Sequence, residues 1–194
     1  ISPTDSDKGE AYNGSGRAPA ATSAADLRAR GLTTVPANGP ESVTIPGAVD
    51  AFCRLSESHG KIGLDALLAP AIHYAEAGVP VAPRVAFDWA PGAKALQGSA
   101  RGHYLFDGAV PRVGQVFRAP GQAEVLRRIA KNGRAAFYEG EVAEDMVAAL
   151  NALGGVHTAK DFAATQGMPT TPVSGPYKGV DLVEHPPSGQ GATA

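Results

Sequence analysis

Three kinds of residue in this chain could carry chemistry: a lone thiol, five imidazoles, and an arginine set in a glycine-rich run. The run Gly14-Ser15-Gly16-Arg17-Ala18-Pro19 has the outward form of a Gly-x-Gly nucleotide loop. That fingerprint needs a clear apolar strand before it and an uninterrupted helix after it, so that the helix N-terminus can hold the phosphates. Neither flank is convincing here. The five histidines, His59, His73, His103, His157 and His185, make no His-Glu-x-x-His or other dense ligand set. His73 with Glu76 is a single helical i,i+3 pair, so no metal site is expected. His59 and His157 fall where helices are expected to end or begin, positions that tolerate imidazole. Cys53, the one cysteine, sits beside Phe52 on the apolar side of a predicted helix and reads as a buried, inert thiol rather than a nucleophile. A Ser-His-Asp triad is assembled in space rather than along the chain, but no Gly-x-Ser-x-Gly elbow occurs.

A different signal comes from Gly39-Pro40-Glu41-Ser42-Val43-Thr44-Ile45-Pro46-Gly47-Ala48-Val49-Asp50-Ala51-Phe52. Its order of residue types is more particular than helix or turn chemistry requires. It resembles the Ser-Val-x-Val-Pro-Gly-x-Val-x-Gly segment of γ-glutamyltranspeptidases and their acylase relatives, which are N-terminal-nucleophile hydrolases. The resemblance continues in order through Leu67-Leu68-Ala69-Pro70-Ala71-Ile72 and Ala75-Glu76-Ala77-Gly78-Val79-Pro80-Val81. It continues again in Ile129-Ala130, Gly133 and Ala136-Phe137-Tyr138-Glu139-Gly140. Tyr177-Lys178-Gly179 and His185-Pro186-Pro187-Ser188-Gly189-Gln190-Gly191 look like the family's Tyr-x-Gly strand and Pro-Pro-x-x-Gly turn. That turn could cradle an anion, but it is read mainly as the lead from a strand into the next element.

The resemblance implies an α+β fold class, with residues 1–194 a single partial domain: a helix-rich fragment of a four-layer αββα sandwich, taken from the middle of a large subunit. It further implies a small-subunit partner carrying an N-terminal Thr nucleophile outside this chain. That Thr would attack a γ-glutamyl amide of the glutathione type, with its own α-amine as base and backbone amides holding the oxyanion. The chain alone would then be inert, and its helices would expose apolar faces that the rest of the large subunit and the small subunit cover. In the family an Arg before the Ala-Pro pair grips the α-carboxylate of the substrate, a task suited to the guanidinium fork. Counting back from Ala18-Pro19 places Ser15 at that position and displaces Arg17 by two. Arg17 is therefore the first candidate for substrate contact, with Ser15 and Asn13 behind it, against the reading of Arg17 as a surface residue in a turn. The substitution at Ser15 also raises an acylase or amidase of other acyl specificity, and a non-catalytic helical scaffold stands as the alternative of a different class. No cofactor is implied, and homo-oligomers are left open.

Composition sets outer bounds. Seventeen basic residues against 19 acidic ones, with no basic cluster, give no reason to expect nucleic acid or an anionic membrane as partner. The apolar runs fall far short of the ~20 residues of a membrane span. A single cysteine fits cytoplasm or periplasm equally. Glycine at 24 and proline at 16 predict short helices joined by many ordered turns. Residues 1–22 read as a strand end and loop. Ser23 caps a helix closed by Gly31. Pro46 opens one running to about His59, with Val49, Phe52, Cys53 and Leu55 near its apolar side. A third spans Leu64 to Ala75, kinked or divided at Pro70 and closed by Gly78. Helical pattern resumes from Pro83 to Leu105 with a break at Pro91-Gly92, and from Pro120 to Ala130. Glu141 to Leu153 places Val142, Met146, Ala149, Leu150 and Leu153 on one face. Thr158 caps a short helix through Phe162, and 173–183 reads as one or two strands. Trp89, Phe87 and Tyr104 are expected in core or interface.

Overall fold

The computed structural model describes residues 11–189 and 191. Along the chain the elements are β1 (Ala11–Asn13), α1 (Ala24–Ala29), a 3-10 turn (Pro40–Ser42), α2 (Ala48–His59), α3 (Leu64–Ala77), β2 (Val79–Pro80), α4 (Pro83–Gly92) and α5 (Ser99–Tyr104). They continue with β3 (Val116–Phe117), α6 (Pro120–Asn132), α7 (Ala135–Tyr138), α8 (Glu141–Ala152), α9 (Ala159–Ala164), β4 (Met168–Thr170), β5 (Val173–Tyr177) and β6 (Val180–Glu184). The helices are short because glycines in the left-handed region stop them: Gly78 ends α3 at φ 91° and Gly133 ends α6 at φ 63°. Two compact units result, one from residues 1–59 with 143–194 and one from 60–142.

The first unit is tied together by residues distant in sequence. β1 pairs antiparallel with β4, Asn13 opposite Met168 and Ala11 opposite Thr170. Ser23 caps α1 by accepting from Asp26 N, as its position predicts. α9 begins with a full capping box: Thr158 Oγ1 accepts from Asp161 N while the Asp161 carboxylate accepts from Thr158 N. The core holds Ile45, Cys53, Ala143 and Phe162. His157, also buried, bonds through Nε2 to the Val43 carbonyl at 2.8 Å. β5 and β6 form a hairpin whose two turn residues, Lys178 and Gly179, both have positive φ, the pattern of a type I′ turn. Its side chains Val173, Tyr177, Val180, Leu182 and Val183 are exposed.

In the second unit α3 packs on α6, with Ile129 and Ala123 of α6 buried. β2 pairs with β3, and Val81 extends the contact by exchanging backbone bonds with Gln115 and Gly114. Phe117 of β3 collects the aromatic rings, lying 5.0 Å from Trp89, 6.4 Å from Tyr104 and 6.3 Å from Phe106 between centroids. Tyr138 is fully buried at the end of α7 with the Arg134 guanidinium 4.6 Å above its ring. Arg128 bridges Glu124 and Glu141, and Arg127 pairs with Glu76 of α3.

Three expectations are corrected. α3 runs undivided through Pro70, because a missing donor can be absorbed by a helix that packing on α6 holds in place. Phe52 does not face inward: it is 67% exposed, and α2 buries Asp50, Ala51 and Cys53 instead. In α8 the buried residue is Ala143, while Ala149 and, just past the helix end, Leu153 are exposed. Trp89 and Tyr104 join the aromatic group around Phe117, while Phe87 is exposed beneath Arg84. The small elements β2, β3, β4 and α7 carry too little periodicity to be read from sequence. The part of the 1–22 expectation that falls on residues 1–10, and Gln190 of the Pro-Pro turn, lie outside the described residues.

Candidate functional site

The glycine-rich run is built by backbone packing. Leaving β1, Asn13 turns the chain by accepting the Ser15 N–H on its Oδ1 at 2.9 Å, an Asx turn. The next residues lie directly on the Ile45–Ala51 segment. A Cβ on Gly14 would stand 2.6 Å from that of Ala51, one on Gly16 would strike the carbonyl oxygen of Ile45, and one on Gly47 would strike that of Gly14. The Arg17 carbonyl accepts from Ile45 N at 2.9 Å. Close approach of two backbones therefore explains the Gly-x-Gly spacing. Beyond the run, Ala20 N donates to Asp161 Oδ1 at 3.0 Å.

Held this way, the exposed Arg17 lines an open pocket of about 530 Å³ with Ile45, Asp161, Thr165, Gly167 and Met168 among its walls. Asn13 and Ser15 are joined to each other and do not line it. Of the three sequence candidates the structure thus puts only Arg17 at the pocket. Asp161, which the sequence patterns did not single out, is another of its lining residues. Partial burial raises its carboxyl, but bonds from Thr158, with those from the Ala20 and Thr158 amides and the nearby His157, outweigh that and hold it below the usual carboxylate range. The Arg17 side chain makes no hydrogen bond or ion pair among the described residues, its backbone carbonyl alone being engaged by Ile45 N, and Arg17 is one of the residues that line the pocket.

Behind the pocket lies a buried acid. Asp50 has no exposed surface. Its Oδ2 accepts from Tyr12 Oη at 3.2 Å and from Gly167 N at 2.8 Å, and Arg54 Nε lies 3.2 Å from Oδ1 and 3.1 Å from Oδ2. Burial lowers the Arg54 pKa, and the Asp50 charge, with smaller contributions from Tyr12 and Glu57, turns the net shift upward. The sequence signal for this acid was the Asp50–Arg54 i,i+4 spacing, hidden by the apolar reading of the same face. Among the described residues no group of three or more His, Cys, Asp or Glu is placed to hold a metal, and no helix is long and apolar enough to cross a membrane.

The fold places the chain in a class. It superposes on γ-glutamyltranspeptidase of Helicobacter pylori with a TM-score of 0.87 over 96% of this chain and 58% of that one, at 24% identity. On cephalosporin acylase of Bacillus halodurans the TM-score is 0.84 over 92% of this chain and 35% of that one, at 36% identity. The chain is a helix-rich α+β fragment of the N-terminal-nucleophile hydrolase fold. The Gamma-glutamyltranspeptidase family model matches residues 1–194. The chain is also 34% identical over 185 residues to the glutathione hydrolase-like YwrD proenzyme of Bacillus subtilis, covering 94% of this chain and 35% of that protein. It belongs to the γ-glutamyltranspeptidase family. It spans about a third of the length of that curated relative.

Proposed function

We propose that residues 1–194 are a partial domain in the large subunit of an enzyme that hydrolyses or transfers γ-glutamyl groups of glutathione-type substrates. The observation that carries this is Arg17, a lining residue of the pocket whose side chain has no partner among the described residues and whose backbone is pinned to Ile45. A fork of that kind suits the substrate α-carboxylate. Binding there would leave the γ-amide for a Thr supplied by a small subunit outside this chain. The Thr oxygen adds to the amide carbon and the C–N bond breaks with protonation of the leaving amine. Water or an acceptor amine then takes the acyl group and releases the Thr hydroxyl. Ser15 and Asn13 would act by shaping the loop, with Ser15 near enough along the chain to assist carboxylate binding.

A second reading has its own support. Ser15 stands where γ-glutamyltranspeptidases usually hold the gripping Arg, and the chain shares 36% identity with a cephalosporin acylase, so the parent protein would take other acyl groups. Intact-mass analysis of the full-length product, followed by γ-glutamyl anilide hydrolysis with and without Arg17→Ala, separates the readings. On the first, a Thr-initiated subunit appears. Loss of charge-assisted bonds worth about 1.5–3 kcal/mol then raises KM about tenfold to a hundredfold. Cleavage of the precursor with turnover of glutaryl but not γ-glutamyl amides supports the second, and an uncut, inert precursor refutes both.

A further inference from the structure

The Asp50 carboxylate joins three stretches of chain that meet at the Arg17 pocket. Tyr12 belongs to β1, the strand that leads into Gly14–Arg17. Gly167 leads into β4 and is itself a pocket wall, as are Met168 and Ile45. Asp50 lies in the Ile45–Ala51 segment on which the glycine loop rests. The fit is close on every side: a Cβ at Gly167 would collide with the Tyr12 ring, and Gly14 lies against Ala51, the residue after Asp50. A fully buried carboxylate is costly unless its oxygens are all engaged, and here a phenol, an amide and a guanidinium engage them. Because those donors sit on separate segments, the charge fixes the distance between the loop that carries Arg17 and the wall that faces it.

We infer that Asp50, through Tyr12 and Gly167, is a positioning residue for the Arg17 guanidinium, setting affinity for the substrate carboxylate without touching substrate. The inference rests on the Arg17 reading given above. Asp50 does not contact the pocket, since it has no exposed surface and is absent from the pocket walls. Any effect on substrate binding must therefore pass through the segments it holds. Small displacements of a binding group carry large kinetic penalties.

The test uses the full-length processed protein with two substrates: γ-glutamyl anilide, and γ-aminobutyryl anilide, which lacks only the α-carboxylate. Tyr12→Phe removes one hydroxyl donor and should raise KM for γ-glutamyl anilide about threefold to tenfold with kcat nearly unchanged. Asp50→Asn should raise it about tenfold to a hundredfold. Neither should change kcat/KM for γ-aminobutyryl anilide by more than about twofold. In an Arg17→Ala background both substitutions should lose their effect on KM, since the group they aim is gone. If Asp50→Asn prevents folding, Tyr12→Phe decides alone. Equal losses on the two substrates, effects that multiply with Arg17→Ala, or no effect of Tyr12→Phe would each overturn the inference while leaving the Arg17 reading intact. If Arg17→Ala itself leaves both substrates unchanged, the Arg17 reading fails and this inference falls with it.

Discussion

Asp161→Ala is a sharp probe of how the pocket wall is held. The carboxylate accepts three bonds: from Thr158 N at 2.9 Å, from Thr158 Oγ1 at 2.6 Å and from Ala20 N at 3.0 Å. The first is one half of the capping box of α9 and the second reinforces it, and losing the two together costs about 1 kcal/mol. The third ties the chain just after Arg17 to α9. A bond to a charged acceptor is worth more than a neutral one, but Asp161 is only half-buried, so about 1 kcal/mol is appropriate. The sum, about 2 kcal/mol, corresponds to a roughly thirtyfold larger opening equilibrium. Amide hydrogen exchange of the full-length protein reads it directly, as reduced protection of residues 162–165. Thr158→Ala, which leaves the Ala20 bond, should cost about half as much. The pH dependence follows from the depressed pKa. The folded carboxyl titrates below its unfolded value, so its contribution is complete above the unfolded pKa and is lost as pH falls through the folded one. The penalty of Asp161→Ala should be full at pH 7 and shrink below about pH 4. A change in exchange under about threefold at pH 7, or a penalty undiminished at pH 2, would refute the reasoning.

Two further substitutions test the packing that supports the site. Phe162→Ala empties a fully buried position next to the capping box and should destabilise the protein by about 3–5 kcal/mol, measured by urea unfolding; a loss under about 1 kcal/mol would show that the site collapses freely. Gly16→Ala drives a methyl group into the Ile45 carbonyl, which no rotamer change relieves. It should cost about 1–3 kcal/mol and raise KM for γ-glutamyl anilide, whereas unchanged stability and kinetics would mean the two backbones are not in close contact.

Local chemistry made much of this chain legible. Ser23 and Thr158 are oxygen-bearing caps followed three residues later by Asp, and both cap helices where their positions predict. Gly31 and Gly78 stop helices because left-handed φ is cheap only for glycine. The ordered blocks around Ile45-Pro46-Gly47 sufficed to identify the family. What failed was the choice of inward face. On α2 the apolar pattern favours Phe52, yet the helix turns Asp50 inward, because Tyr12, 38 residues away, and Gly167, 117 residues away, supply donors that make a buried charge acceptable.

The same reason separates the two sources of information at the site. The residue types and spacing of Asn13 to Pro19 determined that an arginine would stand in a glycine-rich turn before Ala-Pro, since turn geometry depends on neighbours a few positions apart. Only the tertiary structure decided that Gly14 and Gly16 are glycines for the sake of Ile45 and Ala51, that Arg17 lines a pocket while Ser15 and Asn13 bond to each other, and that Asp161 and Asp50 brace it. The segments that build this site are far apart in the chain, β1 pairing with β4 across about 155 residues, and pairings so far apart in sequence leave no periodic trace in either strand.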